Sequence, residues 1–215
     1  MSTVSQLVTN AAETTTTIED RAQPPPQRWT TALFVQLIRP PSGPIAHHQK
    51  ALDEYHAIVE RAVTHQCGDV VAVSSDAALA VFSGEGHPQD HVQFAVDAAT
   101  SMLEQVAQLN GQRLAQGLAP LRIGIGMDAG VLTTSGFKRH PLLDPGLEGY
   151  LNKARRLSDL NCQTPFPAIF VSHSVVNRLG HNQRYSIQNL GNVFVENQAD
   201  PIAVYALMSG EFPAK

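Results

Sequence analysis

The chain has 215 residues, 43% of them apolar and 16% charged, with a formal net charge of −4. That length suits one well-filled core, and the acidic balance argues against general nucleic-acid binding, which needs a basic face. Two cysteines, Cys67 and Cys162, lie far apart without C-x-x-C spacing, which fits a reducing compartment and carries no zinc signature.

Residues 1–28 are rich in Thr, Gln and Pro and end near Pro24-Pro25-Pro26. They offer little apolar area to bury and read as a disordered arm before a domain over 29–209, with 210–215 as a tail. The first residues lack a basic start and a continuous apolar stretch, so they do not read as a secretion signal. The longest apolar run, 202–208, is too short to span a bilayer. The expectation is a cytoplasmic protein that reaches a membrane only through a partner.

Residues 31–38 (TALFVQLI) are β-rich and stop at Pro40-Pro41, which predicts a buried strand. Over 48–66, Leu52, Tyr55, Val59 and Ala62/Val63 share one stripe of an amphipathic helix. Residues 69–73 and 77–82 are apolar runs around Ser74-Ser75-Asp76, a hairpin with a polar tip. A second helix is predicted over 90–116, ending at Gly117, with Asp90 as a candidate N-cap. His87 and His91 flank Asp90 and read as a solvated helix start rather than a metal pair.

Residues 121–127 (LRIGIGM) read as a strand, and 130–134 as a separate short one. Gly124, Gly126 and Gly130 do not follow G-x-G-x-x-G; they suggest close packing of strands and a tight turn. A helix over 147–160 turns Leu147, Leu151, Ala154, Leu157 and Leu160 inward, and Lys153, Arg155 and Arg156 read as its solvated face. Residues 168–171 predict a strand, 173–179 a short helix, and 185–190, 193–196 and 202–207 three closing strands. Ser172 and Ser174 have no triad context. The order β-α-β-β-α-β followed by further strands predicts an α+β ferredoxin-like sheet with additional C-terminal strands.

Four stretches in this order resemble the class III adenylyl/guanylyl cyclase catalytic domain. TALFVQLI is similar to its first strand, L-F-A-D-I. VVAVSSDAALAVF is similar to V-V-K-x-x-G-D-x-x-M-A-V-F, LRIGIGMDAG to L-R-I-G-I-H-x-G, and LGNVFVENQADPIAVYAL to L-G-x-x-x-V-K-G-K-x-x-P-V-x-V-Y-x-L. The resemblance implies a nucleotide cyclase fold and a site between two subunits, where two divalent metals assist attack of a ribose hydroxyl on the α-phosphate.

Carried over by position, the resemblance puts the two metal aspartates at Gln36 and Asp76, and the purine-reading lysine at Ala72. The second purine reader falls near Leu143 or Asp144. The asparagine and arginine that serve the transition state fall on Asn152 and Arg156, and the phosphate lysine on Gln198, with Glu196 nearby. Three charges are thus replaced by neutral residues, and Asp76, Asn152 and Arg156 remain.

The expectation is a catalytically degenerate domain acting as a regulatory dimerisation, partner-binding or ligand-binding module in signalling. No resident cofactor is expected, and a divalent metal (Mg or Mn) only if residual nucleotide binding exists. A homodimer is expected, with room for a signalling protein partner and for a small anion or nucleotide. The alternatives are the partner half of a heterodimeric cyclase contributing Asn152 and Arg156, or an atypical active cyclase.

Overall fold

A strand whose alternate residues meet helices on one side and another helix on the other lies at the centre of the molecule. The computed structural model describes residues 27–38, 45–84, 90–133, 145–164, 168–180, 184–194 and 201–209. The central strand is β1 (Gln27–Ile38), which starts four residues ahead of the predicted run. Leu33, Val35 and Leu37 point to one face and are fully or almost fully buried. Each such side chain contributes about 1.5–3 kcal/mol by leaving water.

That face is covered by α1 (Ile45–His65) and α2 (Asp90–Ala115). On α1 the stripe Leu52, Tyr55, Val59 and Ala62/Val63 is buried, as the periodicity predicts. On α2, Ala95, Ala98 and Ala99 are fully buried, and such small side chains let the helix sit close to the sheet. The hairpin is formed by β2 (Asp69–Val73) and β3 (Ala77–Gly84), and β3 pairs antiparallel with β1.

Where two strands were expected over 121–134, one long strand runs: β4 (Arg122–Thr133), antiparallel to β1 along its whole length. The glycines that suggested a break keep strand geometry because a helix needs the space above them. That helix is α3 (Pro145–Cys162), on the face opposite α1 and α2. A Cβ at Gly126 would collide with the backbone of Ala154, Leu157 and Ser158, and one at Gly124 with Cys162 Sγ. The close packing is therefore of helix on strand, not strand on strand.

The chain continues through β5 (Ile169–Ser172), α4 (His173–Leu179), β6 (Tyr185–Val193) and β7 (Ile202–Ser209). β5 pairs parallel to β4 through the α3 crossover, and β7 and β6 add antiparallel. Among the described residues the sheet order is β2-β3-β1-β4-β5-β7-β6. Its first four strands with α1 and α2 are the predicted ferredoxin-like unit. Val193 belongs to β6 rather than to a separate strand, and Glu196 lies outside the described residues. Among those residues no helix is long and apolar enough to cross a membrane.

Candidate functional site

Gln36 is placed by the register of β1, which sets it between Ala77 of β3 and Gly124 of β4. Strand alternation turns it away from Val35 and Leu37, onto the face that carries α3. Asp76 comes to the same end of the sheet because the β2–β3 turn lies beside the end of β1. The Leu37 amide donates to the Asp76 carbonyl at 2.7 Å. Ser74 ties the turn: its Oγ accepts from the Ala77 amide at 3.1 Å and lies 3.4 Å from Asp76 Oδ1. Two residues of α1 support this corner. The Tyr55 hydroxyl donates to the Val35 carbonyl at 3.0 Å, and His56 Nε2 contacts the Ser74 carbonyl at 3.0 Å. Burial, and then the charge of Asp76, hold the Tyr55 hydroxyl well above its ordinary pKa, so it stays a neutral donor.

The α3 side of the corner is supplied by Cys162, whose Sγ lies 4.0 Å from Gln36 Oε1. Burial, and then the charge of Asp159, push the Cys162 thiol up. The place that the resemblance gives to a metal carboxylate thus holds a neutral amide beside a thiol that resists ionisation. Of the two positions that the resemblance gives to metal aspartates, only Asp76 carries a carboxylate. Hard divalent cations want several oxygen ligands with carboxylate charge, and this donor set does not fit a pair of them. Among the described residues no cluster of three or more His, Cys, Asp or Glu could hold a metal ion.

Asn152 and Arg156 sit one turn apart on α3, both exposed, on the side away from Ala154, Leu157 and Ser158. The fold therefore unites Gln36 and Asp76 within one chain and points Asn152 and Arg156 outward. Arg156 reaches Asp159 at 4.0 Å, one turn along its own helix. Arg155 leans the other way, with its guanidinium 6.0 Å from the centre of the Phe34 ring. Ala72 lies on β2 opposite Leu79, with no polar side chain to offer a base. Gln198, Glu196, Leu143, Asp144 and His87 lie outside the described residues, as does the tail 210–215.

One buried polar group escaped the sequence reading and a second was misplaced by it. Asp128 is buried on β4 beneath α3. Ser172 Oγ donates to its Oδ1 at 2.5 Å, and Lys153 Nζ lies 4.0 Å from its Oδ2. Lys153 is thus turned toward a buried carboxylate and is not part of a purely solvated face. Burial raises the Asp128 pKa; the Ser172 bond and the Lys153 charge act against that rise without cancelling it. The signal was available: Asp128 shares the alternation of Gly124 and Gly126, the positions that face α3. His91 corrects the expectation of a solvated helix start. Its ring is fully buried, bonded to Thr31 Oγ1 at 2.7 Å and stacked on Trp29. The same helical stripe that buries Val92, Ala95 and Val96 carries it inward.

No protein-family model matches the chain, and no curated protein sequence does. Solved structures do. The adenylyl cyclase CyaB from P. aeruginosa superposes with a TM-score of 0.71 at 17% identity, over 86% of this chain and 95% of that one. The guanylyl cyclase Cya2 gives a TM-score of 0.69 at 23% identity, over 87% and 95%. The adenylate/guanylate cyclase/hydrolase from Silicibacter pomeroyi gives 0.61 at 19%, over 86% and 99%. Superposition of this quality over nearly the whole of each chain leaves one assignment: the chain has the fold of class III adenylyl/guanylyl cyclase catalytic domains.

Proposed function

We propose that this chain is a cyclase-homology domain without cyclase activity, used as a regulatory module in cytoplasmic signalling through dimerisation and the binding of a partner or small ligand. The observation that carries the reading is the corner at Gln36. An uncharged amide faces a protonated Cys162 thiol next to Asp76, where the resemblance calls for two carboxylates. Removing one preorganised charge-stabilising group typically costs about 10²–10³ in rate. Gln36, Ala72 and Gln198 each replace such a charge, and even strongly non-additive losses leave turnover near background.

The test is direct. Purified protein given ATP or GTP with magnesium or manganese should form no cyclic nucleotide above background. Turnover that Asp76→Ala abolishes would overturn the reading. A companion variant, Gln36→Asp with Ala72→Lys and Gln198→Lys, should raise nucleotide affinity; a folded triple variant that binds no better refutes the positional assignment.

A second reading has one observation in its favour. Asn152 and Arg156 are both exposed on the outer side of α3, available to a different chain. On that reading the chain is the half of a heterodimeric cyclase that serves the transition state. Cyclic nucleotide formed only when a metal-competent cyclase half is added, and lost with Arg156→Ala, would select it.

A further inference from the structure

On the sheet face that carries α3, two buried oxygens make no hydrogen bond, and a cation stops just short of one of them. Asp128 and Thr30 are each only 1% exposed. Across β1 and β4, Thr30 pairs with Gly130 and Ala32 with Asp128, so Thr30 and Asp128 are diagonal neighbours on that face. Ser172 Oγ donates to Asp128 Oδ1 at 2.5 Å and leaves Oδ2 over. Neither Asp128 Oδ2 nor Thr30 Oγ1 has a hydrogen-bond partner among the described residues. Buried polar atoms left in this state are unfavourable.

Lys153 of α3 is placed to relieve them. Its Nζ lies 4.0 Å from Asp128 Oδ2, near enough for an ion pair and too far for a hydrogen bond. Its side chain is 39% exposed, so the ammonium keeps part of its water. A charge-assisted bond needs about 2.8 Å, so a shift of about 1 Å would form one. The ammonium has three N–H donors, enough for both oxygens. The charge on Asp128 decides between the two positions. Burial favours the neutral acid; the Ser172 bond, the Lys153 charge, a backbone bond at Ala129 and the Arg178 charge favour the carboxylate. Of these cations, Arg178 on α4 is engaged over the Trp29 ring at 4.2 Å. His173, beside Ser172, is turned to the Tyr205 hydroxyl at 3.1 Å, and the Tyr150 hydroxyl of α3 donates to the Val131 carbonyl at 3.3 Å. β1 brings only Thr30 and Ala32, neither charged. Lys153 is therefore the cation that can move onto the carboxylate.

We propose that Asp128 and Lys153 form a proton-operated clasp between the sheet and α3. With Asp128 ionised, the Lys153 ammonium donates to Oδ2 and holds α3 against β4. With Asp128 protonated, the neutral acid keeps its place in the sheet and Lys153 returns to solvent. Asn152 directly precedes Lys153, and Arg156 follows within one turn; both are exposed on the same helix. The clasp thus sets how α3 presents these two residues as pH changes. It uses no residue of the Gln36 corner, so it holds for an active and an inactive chain alike.

The test is an NMR titration of the full chain from neutral pH down into the ordinary carboxylate range. The Asp128 carboxyl carbon should titrate with a midpoint above 3.8. The Lys153 side chain and the backbone amides of Asn152 and Arg156 should shift with the same midpoint. In Asp128→Asn those shifts should vanish, which separates them from the titration of other carboxylates. Lys153→Met keeps the stem and removes the charge; it should raise the Asp128 midpoint by about one unit and leave the two amides flat. An Asp128 midpoint at or below 3.8 overturns the proposal. So does an Asp128 that titrates while the Asn152 and Arg156 amides stay still, as a purely structural carboxylate would. Amide shifts that survive Lys153→Met report the field of Asp128 alone and overturn it as well.

Discussion

Cys67 stands in the left-handed region, at φ 55°, two residues past the end of α1. The next amide, of Gly68, donates to the Val63 carbonyl at 3.0 Å, and that of Cys67 to Thr64 at 3.1 Å. These two bonds form a Schellman ending, which favours glycine where Cys67 stands. α2 ends in the same way with a glycine, Gly117 at φ 71°. Cys67→Gly should therefore stabilise the protein by about 1 kcal/mol, read as a higher midpoint in urea. A lower midpoint would show that the thiol matters more than the backbone. Asp128 sets a pH dependence of its own. Burial raises its folded pKa above the ordinary value of 3.8, so the neutral acid favours the fold. Its contribution is in place below that ordinary value and is lost as pH rises through the raised one. Asp128→Asn, neutral throughout, should be more stable than the parent at neutral pH, with the gap closing as pH falls toward 3.8. A gap that widens on acidification would refute this.

α3 is held to β4 by an absence of side chains on one partner and hydrogen bonds from the other. Ser158 Oγ donates to the Gly124 carbonyl at 3.0 Å, and Asn161 Oδ1 accepts from the Ile125 amide. Gly126→Ala inserts a methyl against the α3 backbone and should cost about 1–3 kcal/mol, measured by chemical denaturation. It should also disturb the outward set of Asn152 and Arg156, because they ride on the same helix. An alanine variant with unchanged stability would mean that α3 can lift from the sheet without loss. The glycines of LRIGIGM were legible as a place of close approach. What approached was not, because a strand pattern does not say which element will cross its face.

Across the whole molecule, the outward face of α3 and the corner at Gln36 sit on a fold whose resemblance implies a paired site. An isologous two-fold dimer is the commonest soluble oligomer. With neutral Gln36 in place of a charge, less charge has to be desolvated on closing such an interface. The chain should self-associate, burying at least about 1,000 Å². Light scattering over a concentration series tests this; a strict monomer at high micromolar concentration would shift weight to a heterologous partner.

The alternation of TALFVQLI, the helical stripes of α1 and α2, and the polar tip at Ser74-Ser75-Asp76 determined the ferredoxin-like core by themselves. Each is a local pattern whose period names its element. The resemblance of the four motifs also implied one site for Gln36 and Asp76, and the register of β1 and the β2–β3 turn bring the two to one corner. What only the tertiary structure decided lies between elements distant in the chain. Cys162 meets Gln36 across 126 positions, Asp128 is buried under α3 with Ser172 and Lys153, and His91 turns inward to Thr31. Local periodicity states which face of an element is apolar, but the partner of a buried polar group is chosen by packing, and packing is settled only when the sheet and its helices close on each other.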